Sequence, residues 1–321
     1  MTGNGEAARQ RAIEAWSELA SGARVVAAET LSGGRHSDAV RLRTRAGRSV
    51  VAKLRPKGGL ALERAIHEQI LPELGVATPA CLGFVSGSGD APDVLFLEDL
   101  GDRAFQPSDP AHQRAAGRWL GRCHAASAAT AIPARVPRRS LKQEREQLAA
   151  TRLSLAAAQG NEALGEPGAA RVARVLELLA VAEERWDAWE AAAASVPAVL
   201  THGAFVTRNV RMRGQAATLE TLPFDWDHVA VRSPAIDLAQ VPGGSRGFAA
   251  NASLRHYRAA AAERGLALEA ETVGALAALG TLVRAAACVG WLVPSLVGLR
   301  GAHALSELDL YRGALDATLG A

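Results

Sequence analysis

His202-Gly203-Ala204-Phe205-Val206-Thr207-Arg208-Asn209 is the stretch on which the reading of this chain turns. It joins two short apolar runs, Val199 to Thr201 and Val210 to Arg213, whose composition reads as strand. A third run, Thr218 to Phe224, follows and leads into Asp225-Trp226-Asp227. Strands this close in sequence predict a hairpin, which would bring Asn209 and Asp225 to one end. An amide oxygen beside a carboxylate is a hard donor pair of the kind that magnesium takes. Asp227 adds a second carboxylate, either supporting that site or lying at the surface. His202 is expected to brace the loop backbone rather than to transfer protons. Asp237, in Ser233-Pro234-Ala235-Ile236-Asp237-Leu238-Ala239, either accepts hydrogen bonds from the loop or starts a helix.

Toward the N-terminus the texture changes. Residues Glu6 to Leu19 place Ala7, Ile13, Trp16 and Leu19 at helical spacing, and period-two strands follow at Arg24 to Leu31, Asp38 to Thr44 and Ser49 to Arg55. Ser32-Gly33-Gly34-Arg35-His36-Ser37 joins the first two; Gly33 and Gly34 would let backbone N–H groups approach phosphate oxygens, and an ordinary hairpin turn explains them equally well. Val50-Val51-Ala52-Lys53 is an apolar strand carrying an ammonium, and Leu60 to Leu74 shows helical spacing. Glu68 on that helix is the expected partner of Lys53, with Glu63 as the rival and more naturally a surface charge. Strands at Ala80 to Ser86 and Val94 to Leu97 lead into Leu97-Glu98-Asp99-Leu100-Gly101, where the backbone of Glu98 and Leu100 could hydrogen-bond an adenine edge.

Beyond Gly101 the chain reads as helical, which divides it into residues 1–100 and 101–321. Ser108 is the expected N-cap of a helix reaching about Ala128, and alanine-rich helices are expected from Ser140 to Ala158 and from Pro167 to Ala194. Trp186 and Trp189 fit helix packing better than a substrate pocket, and Trp291 fits either role. Thr281 to Leu299 is apolar but interrupted by Arg284 and Pro294, so it reads as buried helix and not as a membrane span. Cys81, Cys123 and Cys288 form no CxxC pair, giving neither a disulfide framework nor a zinc site and fitting a reducing cytoplasm. A net charge of +3 with scattered arginines argues against nucleic acid as a partner. It also argues against a polycationic substrate, whose cleft should be lined with carboxylates. Oligomeric state is not legible.

Taken in order, Gly33-Gly34, Val51-Ala52-Lys53, Glu68, Phe96-Leu97-Glu98-Asp99-Leu100, His202-Gly203 with Asn209, Phe224-Asp225-Trp226-Asp227 and Asp237-Leu238-Ala239 resemble the aminoglycoside phosphotransferase family. The resemblance implies an α+β, two-lobed protein-kinase-like fold with a small antiparallel-sheet N-lobe and a larger helical C-lobe. It also implies ATP between the lobes, with Lys53 on its phosphates and Asn209 and Asp225 on Mg2+. The activity implied is transfer of phosphate to a hydroxyl of a small molecule, such as an antibiotic, a sugar or a natural-product intermediate; Ser or Thr of a peptide is the alternative acceptor. Ala204 stands where the family carries its catalytic aspartate, which takes the proton from the attacking hydroxyl. Thr207-Arg208 also departs from the small residues usual there. Retention of Lys53, Glu68, Asn209 and Asp225 predicts a base-deleted form of a working kinase in preference to a natural pseudokinase that binds without turnover.

Overall fold

The computed structural model describes residues 3–21, 23–33, 37–240, 251–298 and 301–320. The fold is α+β and falls into two compact units. The first comprises residues 1–103 with 211–213 and 221–227, and the second comprises 104–210, 214–220 and 228–321.

The first unit is built on a five-stranded antiparallel sheet in the order β1-β2-β3-β5-β4: β1 Val25–Gly33, β2 Asp38–Thr44, β3 Ser49–Arg55, β4 Cys81–Val85 and β5 Asp93–Glu98. Strand periodicity sorts its side chains. Val40, Leu42, Val50, Ala52, Leu54, Val94 and Phe96 pack on α1 (Gly3–Leu19) through Ala8, Ala12, Ala15 and Trp16, and the Trp16 ring meets Phe96 edge-on at 5.1 Å. The helix therefore buries a stripe rotated from the expected one, and Ala7 and Leu19 are exposed. Leu60, Leu95 and Leu97 form a separate cluster with Cys81 and Phe84. Lys53 alternates with Ala52 and Leu54 in β3 and so points away from the α1 side.

The helix expected over Leu60 to Leu74 is composite: α2 Ala61–Ala65, a π turn Ile66–Ile70 and α3 Leu71–Leu74, closed by Gly75 in a left-handed conformation.

The second unit is mainly helical. Its helix α4 (Pro110–Ala129) is capped by the Asp109 carboxylate on the Ala111 N–H, one residue past the expected Ser108. Helix α5 (Leu141–Gln159) starts at Ser140 with a capping box, as its sequence predicts. The single helix expected over Pro167 to Ala194 is two, α6 (Gly165–Glu184) and α7 (Trp186–Ala194), broken at Arg185. Trp186 is fully buried and its indole N–H donates to Glu190 at 3.1 Å, a packing role. Strand β6 (Val199–Thr201) pairs with β9 (Ala230–Arg232), and β7 (Val210–Arg213) pairs with β8 (Glu220–Pro223), which is shorter than the expected Thr218 to Phe224. Three further helices follow: α8 (Leu254–Ala262), α9 (Ala270–Leu296) and α10 (Gly301–Leu319). Helix α9 is long and apolar enough to cross a membrane, and 67% of its most apolar window is buried, as in the core helix of a soluble protein. Helices α4 and α8 approach closely, because a Cβ at Gly117 would lie 2.4 Å from the Ser253 carbonyl oxygen and one at Gly121 2.4 Å from that of Tyr257.

Candidate active site

In the first unit Lys53 is a buried hub. Its Nζ donates to Glu63 at 2.6 Å, to Asp225 at 2.6 Å and to Asp227 at 3.2 Å. Arg55, two residues along the same strand face, also pairs with Asp227. Glu63, expected at the surface, is 3% exposed and is the buried partner of Lys53. Glu68 instead pairs with Arg64 at 2.9 Å and accepts from the Cys81 thiol. Residues five apart on a helix lie on different faces, so only one of the two glutamates can meet Lys53. We expect Glu63→Gln to weaken nucleotide binding about tenfold and Glu68→Gln to leave it within about twofold, as read by calorimetric titration.

Burial opposes the charge on Lys53, but Glu63, Asp225 and Asp227 more than offset it and hold the ammonium above its ordinary pKa. The cluster sets three carboxylates against Lys53 and Arg55, and ligand oxygens of Glu63, Asp225 and Asp227 lie within 4.8 Å of one another. Glu63 Oε1 is buried without a hydrogen-bond partner. Burial raises the Glu63 pKa in spite of Lys53, and three acidic groups with one unsatisfied acceptor fit a hard divalent cation, which would favour their ionised forms. Asp225 has φ +66°, a left-handed conformation uncommon outside glycine and typical of functional positions, and its side chain is 37% exposed.

The segment after β5 is also held in place. Asp99 accepts from Ser49 Oγ at 2.6 Å, from the Gly101 N–H at 3.0 Å and from Arg41 Nη2 at 3.2 Å. Burial would raise the Asp99 pKa, but these hydrogen bonds and the Arg41 charge hold it below the usual carboxylate value. Glu98 donates its N–H to the Ala80 carbonyl at 2.9 Å, so that N–H is not open to an adenine, and Leu100 follows beyond the end of β5. Gly33 ends β1 opposite Asp38. Gly34, Arg35 and His36 lie outside the described residues.

In the second unit the loop 202–209 is shaped from beneath by Asp237, which sits in a short 3-10 turn, Pro234–Asp237. Its carboxylate accepts the His202 N–H at 2.6 Å and the Gly203 N–H at 2.8 Å, with His124 Nε2 at 3.4 Å. An ionised Asp237 can only accept, so His124 presents an N–H at Nε2, while its Nδ1 lies 3.2 Å from the Tyr257 hydroxyl. Burial would raise the Asp237 pKa, but the His124 hydrogen bond, the neighbouring histidines and Gly203 N–H hold it below the usual value.

His202 braces the loop as its sequence position suggests, accepting the Ala204 N–H at Nδ1, 3.3 Å. The Ala204 carbonyl accepts from the Val206 N–H at 2.8 Å and from Asn209 Nδ2 at 3.2 Å, which turns the Asn209 amide so that its oxygen is the atom available to a cation. Gly203 has φ +76°, and a Cβ there would lie 2.1 Å from the His228 carbonyl oxygen, so the loop requires glycine. Arg232 ties the surround together, donating to Thr201 at 2.9 Å, Glu144 at 3.1 Å and the His228 carbonyl at 3.1 Å. The sequence reading missed His124, Tyr257, Arg232 and Glu144, and apart from their residue types it contains no signal that would have found them.

A model described as "Phosphotransferase enzyme family" matches residues 27–279. Similar solved structures include a spectinomycin phosphotransferase, APH(9)-Ia, in complex with ADP and spectinomycin, 15% identical over 96% of this chain and 97% of that one, TM-score 0.65. The GDP and kanamycin complex of APH(2″)-IIia is 16% identical over 95% and 97%, TM-score 0.64. Macrolide 2′-phosphotransferase MphH from Brachybacterium faecium is 22% identical over 92% and 96%, TM-score 0.55. No curated protein matches the chain.

Proposed function

This chain belongs to the phosphotransferase enzyme family, and we infer that it evolved to move the γ-phosphate of ATP to a hydroxyl of a small molecule and that, as written, it lacks the general base. The observation that carries the reading is the buried Lys53 held among Glu63, Asp225 and Asp227. A lysine fixed by a glutamate beside a metal-binding aspartate is the arrangement phosphoryl transfer needs, since its catalysis is mostly positioning and charge neutralisation. Lys53 meets the nucleotide phosphates and Glu63 keeps its ammonium in place. Gly33, at the end of β1, offers its backbone to the phosphates, and the segment Glu98 to Leu100 meets the adenine edge. On the first unit Asp225 holds magnesium, which when bound supplies positive charge to the phosphate oxygens, and on the loop of the second unit the Asn209 oxygen is the atom offered to a cation.

Kanamycin, spectinomycin and macrolides are small hydroxyl-bearing molecules, and their appearance in the names of similar structures supports a small-molecule acceptor. At Ala204 the acceptor hydroxyl finds a methyl group where a carboxylate would take its proton. The intact bracing of the loop by Asp237 and His202 supports loss of the base alone rather than decay of the site.

Calorimetric titration with ATP, with and without magnesium and with GTP as control, tests the reading. Micromolar, magnesium-dependent binding is expected; no binding of either nucleotide would overturn it. In the same titration Asp225→Asn should weaken magnesium-dependent binding by about ten- to a hundredfold, roughly 1.4 to 2.7 kcal/mol. Unchanged affinity would remove Asp225 from the site.

A further inference from the structure

Three arginines are buried among the described residues: Arg41, Arg232 and Arg284. Arg41 is tied to Asp99 and Asp102, and Arg232 to Glu144 and Thr201. Arg284 differs. It is 8% exposed in the middle of α9, its Nε is buried with no acceptor, and no ion pair joins it to any described carboxylate. Its guanidinium lies 5.4 Å from the ring centroid of Trp291, two turns on along the same helix, and its charge also acts on Cys288 and Tyr311.

Trp291 is 56% exposed, unusual for the largest apolar side chain. Its ring also lies 6.1 Å from that of His228, tilted by 33°. The His228 carbonyl is the atom that bars a side chain at Gly203, so this patch adjoins the catalytic loop within the second unit. Cys288, one turn from Arg284, feels the charges of Arg284, of the loop residue Arg208 and of Glu307. Glu307 faces His303 at 3.5 Å. A desolvated cation without a counter-ion is costly, and it persists where function needs it.

We propose that Arg284 and Trp291 form the acceptor subsite, and that this subsite takes an anionic group, carboxylate or phosphate, on a substrate whose flat apolar face stacks on the indole. The assignment as acceptor subsite rests on the phosphotransfer reading, whereas the anion preference is measurable without nucleotide. Polycationic acceptors are disfavoured by the same charge.

Thermal unfolding of the chain with 4-hydroxybenzoate, phenyl phosphate, 4-hydroxybenzamide or kanamycin tests it. At saturating probe, 4-hydroxybenzoate, phenyl phosphate or both raise Tm by about 2 °C or more, while the neutral amide and kanamycin do not. The anion that acts identifies the group recognised. The shift vanishes in Arg284→Met, a variant that keeps an unbranched apolar stem without the charge and leaves ATP affinity unchanged. No shift with either anion, an equal shift with the amide or kanamycin, or a shift retained in Arg284→Met overturns the proposal. Should Arg284→Met not fold, Trp291→Ala at the exposed ring carries the test: loss of the shift supports the subsite and retention overturns it. Absence of ATP binding counts against the phosphotransfer reading alone.

Discussion

Ala204→Asp raises turnover by about 10² to 10⁴ and leaves nucleotide affinity within about twofold, the range expected for restoring a general base. The backbone at this position is fixed without help from the side chain. The Ala204 N–H is donated to His202, and its carbonyl takes Val206 and the Asn209 amide. An aspartate there would project from a frame that is already formed, so little binding energy goes into organising it. The nucleotide is proposed to meet Lys53 and Asp225, which the substitution does not touch. Turnover by both proteins, followed as phosphate release or product formation across an acceptor panel, provides the check. Equal, measurable rates would overturn the assignment of position 204 to a missing base, and no turnover by either protein would match the pseudokinase alternative.

Asp237→Ala lowers the unfolding free energy of the second unit by about 3 to 5 kcal/mol, the scale for removing one member of a buried, charge-assisted network. Three donors converge on its carboxylate, from His202, Gly203 and His124, and each would be left facing alanine in the interior. The native chain should also show an acid dependence that the variant lacks. The folded-state pKa of Asp237 is depressed below 3.8. Its contribution is therefore complete above the unfolded value of about 3.9 and is lost as pH falls through the lower folded value. Urea denaturation from pH 3 to 7 reads both effects. Superimposable curves for the two proteins would show that the network carries no stability.

Much of the first unit is legible because alternation and burial coincide. Val50, Ala52 and Leu54 face one side of β3 and Lys53 the other, and the sequence states this directly. The choice between Glu63 and Glu68 is not stated anywhere. It depends on the phase at which the helix meets the sheet, and the π turn at Ile66–Ile70 changes that phase in a way propensities do not encode. The break at Arg185 is similarly hidden, since alanine and leucine favour helix on both sides of it. In the loop, His202, Gly203 and Asn209 are recognisable in sequence, as is Asp237 nearby. Their supports, His124 on α4 and Tyr257 on α8, come from distant helices that only tertiary packing unites. The proposed anion-binding subsite is not legible, since Arg284 reads in sequence as a mere interruption of an apolar run.

The contact between α4 and α8 bears on how this chain can vary over generations. A single base change turns a glycine codon into an alanine codon, the mildest alteration a protein meets. At Gly117 or Gly121 that one methyl would come within 2.4 Å of a backbone oxygen, that of Ser253 at the cap of α8 or of Tyr257 within it. The helix would have to move, taking the Tyr257 hydroxyl with it, and the proton arrangement on His124 that supports Asp237 would lose its far anchor. Heritable freedom is thus withheld at two surfaceless positions that never touch a substrate, as firmly as at the loop they indirectly uphold.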